Sequence, residues 1–177
     1  MFEEELEKVY QPECLNPTIK HGGGSLQVWG CLSSSGVGDL IKIERQLTGE
    51  RYVDILRHHA VPSGMRLIGH NFILQQDNDP KHCSRVAKNY LNEMAEEGVL
   101  ELMTWPPQSP DLNIIELIWD YLDKKKLEHA PRNAKECFEV LQKEWHSIPQ
   151  DFITNLYESI PRRISAVIKA KGGHSRF

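Results

Sequence analysis

The sequence predicts an α/β or α+β domain, and three observations predict it. Short apolar runs with strand character recur between longer segments of helical spacing through the first two thirds of the chain. The last third carries helical patterns only. Clusters of Gly, Pro, Asn and Asp separate the segments. A length of 177 residues suits one domain with a sizeable core.

In chain order, residues 1–24 hold a Glu cluster, Pro12, Pro17 and the run His21-Gly22-Gly23-Gly24, which is connector chemistry ending in a glycine turn. Residues 25–32 alternate apolar with polar or small side chains and predict a strand. After a turn over 33–38, residues 39–46 predict a second strand with Leu40, Ile41 and Ile43 apolar. Thr48 suits an N-cap for a helix to about Ala60, with Tyr52, Val53, Leu56 and Ala60 on one face. Residues 71–76 form a third strand around Phe72-Ile73-Leu74, broken by Asn78-Asp79-Pro80. A helix follows with Val86, Ala87, Tyr90, Leu91 and Met94 at helical spacing, ended by Gly98. Residues 99–105 predict a fourth strand, stopped by Pro106-Pro107. Three helical patterns complete the chain, over 114–127, 134–145 and 151–170. Pro161 is expected to kink or split the last.

Hydrophobic content of 40% and charged content of 26% are those of an ordinary globular protein. No run approaches the ~20 apolar residues of a membrane span. The acidic N-terminus has no signal-peptide core, so the expectation is an intracellular chain with no membrane partner. Cys14, Cys31, Cys83 and Cys137 contain no C-x-x-C pair, which argues for four reduced thiols rather than a zinc ribbon. A net charge of −4 is unfavourable for binding nucleic acid. The charge is uneven, however. From Pro161 onward the chain has Arg162, Arg163, Lys169, Lys171 and Arg176 and no acid, so this tail is where phosphates would be met. A solvated helix end is the alternative.

Two carboxylates stand out. Asp77 lies just past the C-terminal end of a predicted strand, the edge at which open α/β sheets bind ligands. Turn formation is its competing role, and Asp79, before Pro80, suits that role better. Glu116 lies in the first turn of a predicted helix. Asn113-x-x-Glu116 also has the spacing of a capping box, with Asn113 as N-cap. Two such carboxylates on rigid elements are able to share divalent metal ions of the kind that cleave and join phosphodiesters. Lys81 and His82 follow the Asp77 turn and are placed to contact a phosphate or to orient the Asp, and a plain surface position at a helix start suits them equally. His21-Gly22-Gly23-Gly24 is neither a P-loop nor, without a G-x-S-x-G elbow, part of an esterase.

Three strings together resemble the Tc/mariner superfamily of DNA transposases. They are Pro17-Thr18-Ile19-Lys20-His21-Gly22-Gly23-Gly24-Ser25 running into Val28-Trp29-Gly30-Cys31, then Gln75-Gln76-Asp77-Asn78-Asp79-Pro80-Lys81-His82, then Trp105-Pro106-Pro107-Gln108-Ser109-Pro110-Asp111-Leu112-Asn113 through Glu116 and Trp119. The resemblance implies an RNase H-like mixed sheet flanked by helices, with a helical C-terminus and the first strand or strands missing. It implies residues 1–24 as an N-terminal remnant and connector and 25–177 as a partial catalytic domain. It implies Asp77 and Glu116 as the second and third carboxylates of an Asp-Asp-Glu site holding Mg²⁺ or Mn²⁺, and DNA as partner, contacted by Lys81, His82, Arg162, Arg163, Lys169 and Lys171.

The family's first Asp lies upstream of the Lys-His-Gly-Gly-Gly string, and residues 1–19 contain no Asp. The family's helix-turn-helix region is absent, 38 residues separate Asp77 from Glu116 where many relatives have fewer, and Ile114 stands where Pro is usual. The extra residues are expected within 92–98. The resemblance therefore implies DNA cleavage and strand transfer by ancestry, in the nucleus, with this chain inactive by itself and its DNA binding weak. The rival expectation is a non-catalytic nucleic-acid-binding or protein-interaction module. With strands lost, residues 25–32 are expected at an exposed sheet edge, which favours self-association.

Overall fold

Two apolar clusters, one on each face of a central hairpin, organise the chain. The computed structural model describes residues 19–21, 24–106 and 109–170. Strands β1 (Ile19–His21) and β2 (Gly24–Leu26) pair antiparallel. The β1 strand lies inside the stretch expected to be connector. The strand expected over 25–32 is divided at Gln27 into β2 and β3 (Val28–Ser33). A tight turn joins β3 to β4 (Gly36–Lys42), with Gly36 at φ +142° and Ser33 Oγ accepting from the Ser35 N–H at 3.1 Å.

The β3–β4 hairpin is apolar on both sides, as a strand pair covered on both faces should be. Leu26, Val28 and Leu40 join Ile118, Leu122, Leu141, Trp145 and Ile153 in one core cluster. Trp29, Ile41 and Ile43 pack against the other cluster, which contains Tyr52, Leu56, Phe72, Leu91 and Leu100. Trp145 is fully buried, and its indole N–H donates to the Gly38 carbonyl at 2.9 Å. At Gly30 a Cβ would sit 2.9 Å from the Trp145 ring, so the close approach of helix and hairpin requires glycine there.

Thr48 caps α1 (Gly49–Ile55) through its hydroxyl. The helix does not stop near Ala60. It widens into a π-helical turn (Leu56–Ala60) and continues as α2 (Val61–Leu67). In the wide turn the Val61 N–H bonds Leu56 O, five residues back. Pro62, which has no N–H, follows at the start of the renewed α-helix, where a proline is tolerated.

Next comes a βαβ unit: β5 (Phe72–Leu74), α3 (Arg85–Glu96) and β6 (Leu100–Leu102), with β5 and β6 parallel. Ser84 caps α3, and Gly98 at φ +71° ends it as expected. A 3₁₀ turn (Pro110–Leu112) leads into α4 (Ile114–His129), followed by α5 (Ala134–His146) and α6 (Gln150–Lys169). The α6 helix runs unbroken through Pro161, so the expected split does not occur. One missing N–H in a 20-residue helix is outweighed by the regular bonds on either side.

Among the described residues the strands form three separate pairs, β1–β2, β3–β4 and β5–β6. No described strand lies against the second edge of β3 or of β5. Cys31, Cys83 and Cys137 are free thiols. Among the described residues no helix is long and apolar enough to cross a membrane.

Candidate active site

Parallel pairing of β5 and β6 delivers both C-terminal strand ends to one side of the domain, and the loops leaving them are tied together. The Asn78 side-chain amide donates to Trp105 O at 3.1 Å. The Gln75 amide donates to Asn113 Oδ1 at 3.1 Å. These two bonds join the exit of β5 to the exit of β6 and to the start of α4. Asp77 and Glu116 both lie there, near enough that the Asp77 charge raises the Glu116 carboxyl.

Burial, then the neighbouring charges of Asp77 and Asp120, push the Glu116 carboxyl up to about 7. Its Oε1 is buried with no hydrogen-bond partner among the described residues. The spacing Asn113-x-x-Glu116 therefore does not build a capping box here. Asn113 makes no side-chain cap bond, because its oxygen is held by Gln75. Glu116 does not reach back to the helix start.

Asp77 is in the opposite state. Burial alone would raise its carboxyl, but the hydrogen bond and charge of His82, the Asp79 N–H and nearby Lys81 outweigh this and hold it below the usual range. Oδ1 accepts from His82 Nδ1 at 2.5 Å and from the Asp79 N–H at 3.1 Å. An ionised carboxylate only accepts, so the shared proton belongs to His82 Nδ1. Oδ2 has no hydrogen-bond partner among the described residues. Asp79 takes the turn role expected of it, accepting from the Lys81 N–H at 2.7 Å and pairing with Lys81 Nζ at 3.1 Å.

The residues expected to contact nucleic acid separate into three groups. His82 is mostly buried against Asp77, and Lys81 is paired with Asp79, so neither is an unpaired surface cation. Arg162 and Lys169 are exposed on α6, while Arg163 Nε bonds Ser159 Oγ at 3.0 Å. Lys171 lies outside the described residues.

Tyr52 is a site residue that sequence reasoning placed only on an apolar helix face. Its ring stacks on His82 with centroids 4.0 Å apart. Its hydroxyl donates to Gln76 Oε1 at 2.7 Å, and the Gln76 amide donates to His82 O at 3.4 Å. Burial, then Asp77 and Asp79, push the Tyr52 phenol up, so it remains a donor. A Cβ on Gly49 would lie 2.4 Å from Ser84 Oγ, which is why α1 begins with glycine where it meets the loop carrying His82.

The donor set fits a hard divalent cation. Two carboxylates lie near each other, one oxygen of each lacks a hydrogen-bond partner among the described residues, and the like charges need a counter-charge. Among the described residues no third His, Cys, Asp or Glu completes a metal-binding group with them.

Small strand pairs flanked by helices, with a strand-end Asp and a helix-start Glu on the same side, form an RNase H-like domain. The catalytic domain of the Mos1 mariner transposase shares the fold, with a TM-score of 0.67 at 17% identity, over 97% of this chain and 90% of that one. The Mos1 mariner paired-end complex with Mn matches with a TM-score of 0.70 at 17% identity, over 94% of this chain and 51% of that one. The family model for the DDE superfamily endonucleases matches residues 7–147, and the chain belongs to that family. It is 40% identical over 168 residues to the Tcb1 transposase of Caenorhabditis briggsae and 38% identical to the Tc1 transposase of Caenorhabditis elegans, covering 95% of this chain in each case. The chain spans 60% of the length of those two relatives.

Proposed function

We propose that this chain carries the Asp77–Glu116 part of a transposase site for metal-dependent DNA cleavage and strand transfer. The observation that supports it most is the state of Glu116: partly buried, its Oε1 buried with no hydrogen-bond partner among the described residues, and near a second carboxylate. A cap would have its oxygen bonded, and a surface acid would not have it buried. Asp77 Oδ2 and Glu116 Oε1 are the oxygens offered to Mg²⁺ or Mn²⁺. A bound dication supplies Lewis acidity to the attacking water or 3′-hydroxyl and to the leaving oxygen. The chain's own part is to hold the two carboxylates apart from solvent, with His82 and the Asp79 N–H fixing Asp77.

Arg162, Arg163, Lys169 and Lys171 are the residues proposed to meet the DNA backbone, without sequence preference. The edges of β3 and β5 that no described strand covers are proposed to favour self-association. Two carboxylates stabilise an in-line displacement less well than three. The 177-residue polypeptide alone is therefore expected to bind divalent metal without cutting DNA. The test pairs a Mn²⁺ titration with a plasmid-nicking assay. Saturable Mn²⁺ binding lost in both Asp77→Asn and Glu116→Gln supports the site. Binding indifferent to both substitutions refutes it. Nicking abolished by both substitutions refutes the inactivity of the chain alone, while undiminished binding of DNA at high salt refutes the weak backbone contact.

A further inference from the structure

We propose that His82 is a positioning residue for Asp77, and that Tyr52 and Gln76 hold it in that role. The inference rests on the metal-site reading above and extends it to three side chains that bind no metal themselves. A ligand carboxylate is useful in proportion to how firmly its free oxygen is aimed, and the groups bonded to its other oxygen do the aiming. Here Oδ1 of Asp77 is occupied by His82 Nδ1 and by the Asp79 N–H, which leaves Oδ2 as the oxygen on offer.

His82 is itself constrained at its ring and at its backbone. Its ring lies against Tyr52, with centroids 4.0 Å apart and planes inclined by 30°. Its backbone carbonyl accepts from the Gln76 amide at 3.4 Å. Gln76 is held in turn by the Tyr52 hydroxyl at 2.7 Å. The chain of contacts runs from a fully packed helix residue, Tyr52, to the carboxylate, and every member is at least partly buried. His82 and Gln76 flank Asp77 in sequence, but Tyr52 comes from α1, so the aim of Asp77 is tied to the core rather than to its own turn.

The test is Mn²⁺ affinity, measured calorimetrically on the 177-residue protein, with the unfolding temperature in EDTA recorded for each variant. His82→Leu keeps apolar bulk against Tyr52 but removes the Nδ1 donor. His82→Asn gives up the ring stack but retains a donor where Nδ1 stood. We expect His82→Leu to weaken Mn²⁺ binding by about 10–100-fold and His82→Asn to restore most of it. Tyr52→Phe, which frees Gln76, should weaken binding in the same direction by a smaller factor. A purely structural His82 would give the reverse order, with His82→Asn the weaker binder and the affinity following the EDTA unfolding temperature; that result overturns the proposal. Equal affinity of wild type and His82→Leu overturns it as well. If wild type binds no Mn²⁺, or if Asp77→Asn binds as wild type does, the metal-site reading itself fails and this inference falls with it.

Discussion

The Gln75 amide donates to Asn113 Oδ1 across 3.1 Å, and this bond decides what Asn113 does. Asn113 precedes α4 and has the identity of an N-cap, yet its oxygen is turned to the end of β5. Asn133, at the start of α5, has the same spacing to a Glu and makes the local bonds. Its Oδ1 accepts from the Glu136 N–H at 2.9 Å, and Glu136 Oε1 accepts from the Asn133 amide at 2.9 Å. Replacing a working cap by Ala costs about 1 kcal/mol, up to about 2. We therefore expect Asn133→Ala to act additively with Gln75→Ala. Asn113→Ala should instead show a coupling of about 0.5–1 kcal/mol with Gln75→Ala in a double-mutant cycle followed by urea unfolding. Additive losses for Asn113 and Gln75 would contradict the bond.

Glu116 should make the metal-free protein less stable as pH rises. Its folded carboxyl titrates near 7, while the unfolded one titrates near 4.5. Between these values the unfolded chain releases a proton that the folded chain keeps, so stability falls from about pH 4.5 to 7 and stays low above. Glu116→Gln removes that loss. In EDTA at pH 8 the variant should be more stable than wild type by on the order of 1–2 kcal/mol, and at pH 4.5 the difference should shrink towards zero. A variant less stable at pH 8 would mean that the carboxylate is satisfied in the metal-free fold.

Trp145 links the α5 helix to the hairpin by packing and by one hydrogen bond to Gly38 O. Trp145→Ala should lose about 3–5 kcal/mol. Trp145→Phe keeps most of the ring but leaves a buried carbonyl unpaired, and about 1–3 kcal/mol should go. Thermal unfolding of the two variants separates the contributions. A Phe variant as stable as wild type would show the indole bond to be unimportant.

Pro161 lies exposed inside α6, where a proline is about 3 kcal/mol less favourable than alanine. Only Ile153 of this helix is fully buried, so the gain in Pro161→Ala should be local. Amide hydrogen exchange over 161–169 should slow several-fold, with little change in the global unfolding midpoint. Unchanged exchange would show that this half of the helix is not limited by the proline.

Arg162 and Lys169 are exposed on the C-terminal half of α6, which makes them suited to phosphate contact. Replacing both by Gln should lower the slope of log affinity against log salt for duplex DNA by up to about 2, equally for any sequence. An unchanged slope would remove this helix from the DNA surface.

Much of this molecule follows from local pattern. Helices at 49–55, 85–96, 114–129, 134–146 and 150–169 stand where apolar residues recur with helical spacing. Thr48 and Gly98 bound their helices as residue chemistry dictates. The motif strings around Asp77 and Glu116 were enough to mark the family and both candidate carboxylates. Periodicity could not show that the helix begun at Thr48 passes through a π turn and Pro62, since that depends on which face the core accepts. Nor could spacing separate Asn113-x-x-Glu116 from Asn133-x-x-Glu136. Both are able to cap, and the outcome turns on whether a distant donor competes. Gln75 reaches Asn113 only because β5 and β6 run parallel and bring their ends together. His82 reads as a surface residue at a helix start until Tyr52 is seen behind it. The sequence by itself determined the elements and the reactive residue types, because those depend on neighbours three or four positions away. Only the tertiary structure decided which polar groups keep local partners and which are left free for chemistry, because that choice is made by donors arriving from elsewhere in the chain.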